Sequence, residues 1–417
     1  MKEFLTLDDF DLADKRVLLR VDINSPIDPA TGDILDDSRL REHAVTIKDL
    51  RHTKLVLLAH QSRPGKKDFT TMEKHAQRLS QIVGHEVRYA DGLFDRRTLE
   101  TVDRMATGDI VLLENTRFYS EEVDTKDSDA AKMSKTHIVK RLSAAADYFV
   151  IDCFAAAHRA QPTIVGFAEV LPALAGRIME RELNMLGRAL REDRRPKVGI
   201  FGGVKVDDSI DVIGALLGNG TLDRVITTGA VANIFLAAGG KDLGVPNVEF
   251  LKKELEGYDG LVEAARTLIK EKKGSIAVPS DLAVNDNGKR REITVDELPT
   301  RMPIHDIGLD TIINYCSEIG KSRTIILNGP SGVFESDEFS LGTAEVFKAV
   351  ANARAFKVVG GGHTIAAVEK YGLASKIDHL STGGGALISF LAGKKMPGVD
   401  ALKRSKEKYE SGGYKKK

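Results

Sequence analysis

The stretch KVGIFGGVKVDDSI, Lys197 to Ile210, decides the fold. A short apolar run, a glycine pair and then a segment of helical period with acidic residues near its start describe a strand, a tight turn and a helix, the repeating unit of a parallel α/β sheet. Outward from it the rhythm recurs. Toward the C-terminus RVITTGA, SIAVPSD, TIILNGP, KVVGGG and DHLSTGGG follow, and with KVGIFGG they read as one parallel sheet. Before Pro196, RVLLRVD (Arg16 to Asp22), KLVLLAH (Lys54 to His60), DIVLLEN (Asp109 to Asn115) and DYFVIDC (Asp147 to Cys153) read as a second. RIMERELNMLGRALRED, Arg177 to Asp193, is amphipathic and free of turn signals until Arg195-Pro196, which predicts a helix connecting the two halves. Thr70 and Glu73 have the spacing of a capping box before a helix over Met72 to Val83. Asp207 and Asp208 stand where a helix beginning near Ser209 presents free amides. The tail from Lys403, KRSKEKYESGGYKKK, is polar and reads as a frayed end.

The 417 residues suit two domains of similar size. Sixty-one basic residues balance 61 acidic ones, which argues against nucleic acid or an anionic membrane as a global partner, so anion binding must be local. Cys153 and Cys316 are far apart with no CxxC or Cys/His grouping, so neither a disulfide framework nor a metal site made by the protein alone is indicated. A reducing, cytoplasmic setting fits, since MKEFLTLDDFDLADKR lacks the apolar core of a signal peptide. No apolar stretch reaches the ~20 residues of a membrane span.

The unusual residues cluster just after strands, where open α/β sheets bind ligands. In the first half they are basic. Asp22 and Asn24 follow RVLLRV and can bond the hydroxyls of a small polar substrate, or stabilise a turn through their own side chains. His60 and Arg63 follow the next strand, Arg117 the third and Arg159 the fourth, with Arg39 opening the helix SRLREHAVTI. An Arg fork matches phosphate and carboxylate oxygens in pairs, so repetition of cations at one topological position points to a small polyanion. In the second half the same positions are glycine-rich: Gly202-Gly203, Asn328-Gly329, Gly360-Gly361-Gly362-His363-Thr364 and Gly383 to Gly385. Glycine between strand and helix lets amides approach phosphates, which describes a polyphosphate site. GxxxxGK[ST] is absent and no GxGxxG follows a strand, so neither a P-loop NTPase nor a standard NAD enzyme is favoured.

RVDINSPI, SRLREH, AHQSRPGK, ENTRF, DCFAAAHRAQPT, GGVKVDDSI, LNGPSGVFES, GGGHT and HLSTGGGALISFLAGKKMPGV resemble, in type and order, the signature blocks of the phosphoglycerate kinase family. The resemblance implies two Rossmann-like lobes, each a parallel sheet flanked by helices, with cleft closure between them during catalysis. It divides the chain into a lobe for 3-phosphoglycerate or 1,3-bisphosphoglycerate (1–176), the helix 177–193, a lobe for ATP or ADP with Mg2+ (194–385), and a segment 386–417 returning to the first lobe. By matching position it assigns Asp22, Asn24, Arg39, His60, Arg63, Arg117 and Arg159 to the acid substrate. It assigns Gly202, Gly203, Lys205, Asn328, Glu335, Gly360, Gly361, Gly362, His363 and Thr364 to nucleotide, Glu335 taking the ribose hydroxyls. Arg39 and Lys205 are the expected catalytic pair, stabilising charge on the transferring phosphoryl group. Two departures, Val206-Asp207-Asp208-Ser209 without a second lysine and His363 in place of an acid, resemble the archaeal branch and bear on how Mg2+ is held. They also motivate an alternative, a non-catalytic two-lobe nucleotide or anion sensor. A monomer or homodimer is expected.

Overall fold

The computed structural model describes residues 3–124 and 129–414. The chain forms two compact units, Met1–Leu183 with Lys395–Lys417, and Asn184–Lys394.

The first unit is built on β1 (Arg16–Arg20), β2 (Lys54–Leu58), β3 (Val87–Tyr89), β4 (Ile110–Leu112), β5 (Tyr148–Ile151) and β6 (Ala173–Ala175). They form one sheet in the order β3-β4-β2-β1-β5-β6, and every pairing is parallel. The central strands are buried on both faces, as helices on each side of a parallel sheet require. One core face includes Val17, Leu19, Leu55, Leu57 and Val150. Strand order reverses at β1, with β2 on one side and β5 on the other, so the crevice lies beyond the carboxyl ends of these three strands.

Three local expectations change here. The helix expected from Met72 runs Glu73–Val83 and has no side-chain cap from its own N-cap residue. Glu114, two residues beyond β4, accepts the Met72 amide at 3.1 Å, while Thr70 gives its carbonyl to Asn115 Nδ2 at 2.8 Å. A tertiary carboxylate has displaced the local box. The polar tail is folded as far as it is described, residues 415–417 lying outside the described residues: Pro397–Glu410 is a helix with Gly398, Ala401, Leu402 and Ser405 buried. β6 is an edge strand, and Ser405 Oγ accepts its outward Ala173 amide at 2.7 Å, an edge donor that otherwise needs covering. Tyr414, past the helix, donates to Ala168 O at 2.6 Å. The connecting helix runs Arg177–Arg191, stopping short of Asp193. Asp152 Oδ1 accepts from its first amides, Ile178 and Met179, at 2.8 and 3.1 Å.

In the second unit β7 (Lys197–Phe201), β8 (Arg224–Thr227), β9 (Ile276–Ala277), β13 (Thr324–Asn328), β14 (Phe356–Gly360) and β15 (His379–Ser381) form a parallel sheet ordered β15-β14-β13-β7-β8-β9. The helix after β7 is Val206–Gly218 and starts earlier than Ser209, which puts Asp207 and Asp208 inside its first turn. A second sheet was not anticipated. β10 (Asp281–Asp286), β11 (Lys289–Thr294) and β12 (Ile304–Ile307) are antiparallel, in the order β11-β10-β12. SIAVPSD therefore ends its part in the parallel sheet at Ala277. The Asn287-Gly288 turn between β10 and β11, both residues at positive φ, is the hairpin signal that marks the antiparallel pair. Among the described residues no helix is long and apolar enough to cross a membrane.

Candidate functional site

In the first unit the loops after β1, β2, β4 and β5 gather the expected cations. Arg39 Nη1 meets Asp22 Oδ2 at 2.8 Å, tying the first helix to the end of β1. Burial opposes ionisation of Asp22, yet Arg39, with His60, His43 and Arg20 around it, holds its carboxyl well below the usual carboxylate range. Asn24 Oδ1 accepts the Ser62 amide at 2.8 Å, and Ser62 has a positive φ of 55°. Arg117 Nη1 donates to Ser62 O and Ser62 Oγ to Asp68 at 2.6 Å. Asn24 thus fixes the turn that presents Arg63, which is itself exposed.

His60 is buried, and its pKa is pushed well below the usual value by that burial and then by Arg20. Burial lowers Arg117 to about 10, with Arg159 and Arg20 adding repulsion. Arg159 is lowered likewise by burial, Arg20 and Arg63 contributing against the pull of Asp22. Cations that depress one another mark a site short of negative charge, and an anionic ligand relieves it.

The member that sequence reasoning passed over is Arg20. It is fully buried inside β1, donating from Nε to Thr163 Oγ1 at 3.0 Å, to Val21 O from Nη1, and from Nη2 to His60 Nδ1 at 2.8 Å. Its signal was a charge within an apolar strand, RVLLRVD. His43 and Asp152 were missed too. The Asp22 amide donates to His43 Nε2 at 3.2 Å, which leaves the ring proton on Nδ1, 3.2 Å from Asp152 Oδ2.

In the second unit a cavity of about 530 Å³ opens at the carboxyl ends of β7, β8 and β13. Here backbones cross closely. The Gly202 amide donates to Asn328 O and that of Gly203 to Pro330 O, each at 2.9 Å. Gly329 has φ 98°, and a Cβ there would lie 2.1 Å from Gly202 O, so no other residue fits the crossing. Thr364 Oγ1 accepts the Gly329 amide at 2.8 Å and locks the loop after β13 to the helix Gly362–Lys370. Gly202, Gly203, Lys205, Asn328, Glu335, Gly361, Gly362, His363 and Thr364 all line the cavity. Gly360 does not: it ends β14, where a Cβ would meet Leu387 at 1.8 Å, so its smallness serves packing. Lys205 and Glu335 are exposed, and the Lys205 carbonyl accepts from the Ser209 hydroxyl at 2.8 Å.

The rest of the cavity is apolar. Phe250, Leu282, Pro303, Ile304 and Val333 form walls suited to a flat ring. Leu282 and Ile304 come from β10 and β12, so the unanticipated sheet builds this end. Asn247 fastens it, accepting the Ile304 amide at 2.8 Å and donating to Leu243 O at 2.9 Å. Among the described residues no group of three or more His, Cys, Asp or Glu is placed to hold a metal ion.

The phosphoglycerate kinase family model matches residues 7–394. A phosphoglycerate kinase of Methanosarcina mazei is 48% identical over 98% of this chain and 97% of that protein. One from Methanothermus fervidus is 47% identical over 98% of this chain and 99% of its own length. The crystal structure of the Pyrococcus horikoshii phosphoglycerate kinase superposes with a TM-score of 0.89 at 43% identity, covering 97% of this chain and all of that one.

Proposed function

The chain belongs to the phosphoglycerate kinase family, and on that premise we propose how its two half-sites divide the reaction. It is a phosphotransferase with a carboxyl group as acceptor, moving a phosphoryl group reversibly between ATP and 3-phosphoglycerate. The acid substrate is held in the first unit by Asp22, Asn24, Arg39, His60, Arg63, Arg117 and Arg159, the last three gripping its anionic ends. The nucleotide occupies the second unit, its base against Phe250 and Ile304, its ribose hydroxyls on Glu335, and its phosphates at Gly202-Gly203, Lys205, Asn328 and the Gly361 to Thr364 loop.

One observation carries the division. The mutually repelling cations Arg20, Arg117 and Arg159 lie in one unit, and the glycine crossing with its apolar pocket lies in the other.

The attacking carboxylate, or the ADP phosphate oxygen in the reverse direction, is already ionised at neutral pH, so no general base is needed. The transition state spreads charge over three equatorial oxygens, and catalysis is positioning plus electrostatic stabilisation. Arg39 and Lys205 supply that stabilisation once closure brings the substrates into reach and excludes water. Magnesium enters with the nucleotide, held by phosphate oxygens and water, because His363 offers a nitrogen where this hard cation prefers oxygen. Cytoplasmic location and a monomer or homodimer complete the reading.

A coupled assay tests it. Turnover should require both MgATP and 3-phosphoglycerate. Nucleotide binding without any such turnover would leave only the sensor reading standing.

A further inference from the structure

Glu122 sits in the short helix Ser120–Val123 and is 1% exposed, yet the division of the half-sites gives it no part. Its two oxygens serve one residue. Oε2 accepts the Thr163 amide at 3.1 Å and Oε1 the Thr163 hydroxyl, while its carbonyl accepts Gln161 Nε2 at 2.9 Å. Glu122 thus closes the segment that runs from the end of β5 through His158 and Arg159.

The bonds also have a fixed direction. Arg20 cannot lose a proton, so its Nε–H donates to Thr163 Oγ1 and its Nη2–H to His60 Nδ1. Among the described residues the Thr163 hydroxyl hydrogen then goes to Glu122 Oε1. His60 Nδ1, being an acceptor, leaves the ring proton on Nε2, which no protein group accepts among the described residues. The chain of donors therefore ends at Glu122 on one side and at an imidazole N–H available to ligand on the other.

We propose that Glu122 is a positioning residue for the acid-substrate half-site. Through Thr163 and Arg20 it fixes His60 with its proton on Nε2, and through Gln161 and Thr163 it fixes the backbone carrying Arg159. Its charge also balances Arg20, which among the described residues has no carboxylate within ion-pair distance.

Glu122→Gln keeps the shape but cannot accept from both the amide and the hydroxyl of Thr163. Loss of a buried charged acceptor should raise the KM for 3-phosphoglycerate about tenfold or more, with the KM for MgATP within about twofold. Thr163→Val, which removes only the bridging hydroxyl, should show the same split and serves if Glu122→Gln fails to fold. In protein with isotope-labelled histidine, the ring shifts of His60 should report the Nε2–H tautomer in the wild type and a mixture in both variants. A merely structural role would leave that signature in place. The proposal rests on assigning these residues to the acid substrate, so Arg159→Ala is measured beside them. If Arg159→Ala raises the KM and folded Glu122→Gln and Thr163→Val do not, the anchor is overturned. If none of the three moves it, the assignment of the half-site falls, and the proposal with it.

Discussion

Asp22 and Arg39 are the pair on which the residue-level account turns. Arg39, paired with Asp22 at 2.8 Å, is proposed to stabilise charge on the transferring phosphoryl group, so its substitution should act on turnover. Arg39→Ala should lower kcat at least about 100-fold with little change in the KM for MgATP, as removal of one preorganised donor does. A kcat within threefold of wild type would make it a surface charge. The same variant reads out Asp22. A carboxyl held below its usual range contributes stability above its unfolded pKa of ~3.9, and that contribution is lost as pH falls through the native value. Arg39→Ala should therefore destabilise the protein more at pH 6 than at pH 3, measured as urea midpoints. Equal differences at both would show that Arg39 does not hold the carboxyl down.

At the scale of elements, the parallel strands were legible because strands covered on both faces read as continuous apolar runs. His60, Arg63, Arg117 and Arg159 were legible because each follows such a run, and Arg39 because it opens the helix SRLREHAVTI. Arg20 was not, since it lies within one and its side-chain partners Thr163 and His60 are distant in sequence. The sheet of β10, β11 and β12 was hidden by reading SIAVPSD as one strand, although Asn287-Gly288 announces the hairpin. The C-terminal helix was hidden for a different reason. It buries Gly398, Ala401, Leu402 and Ser405, an i, i+3, i+4, i+7 stripe of mostly small residues that composition does not flag. Ser405 accepts the Ala173 amide and lies 2.9 Å from the Tyr414 hydroxyl. Ser405→Ala should strand a buried donor at a cost of about 1–3 kcal/mol, seen as a lower denaturation midpoint with the KM for MgATP unchanged. An unchanged midpoint would mean that the helix is held by its apolar contacts alone.

Over the whole molecule charge sums to zero, so no long-range field selects the substrates. The proposed selection is local and differs between the units: guanidinium groups that depress one another in the first, and backbone amides at a glycine crossing beside an apolar pocket in the second. Ligand recognition should then be separable by single substitutions in either unit. Arg159 is proposed to grip a non-reacting anionic end in ground and transition states alike, so its loss should fall on KM rather than kcat. The most direct measurement is the steady-state kinetics of Arg159→Ala with each substrate varied in turn. The account predicts a large rise in the KM for 3-phosphoglycerate and a KM for MgATP near the wild-type value. A rise confined to MgATP would contradict it.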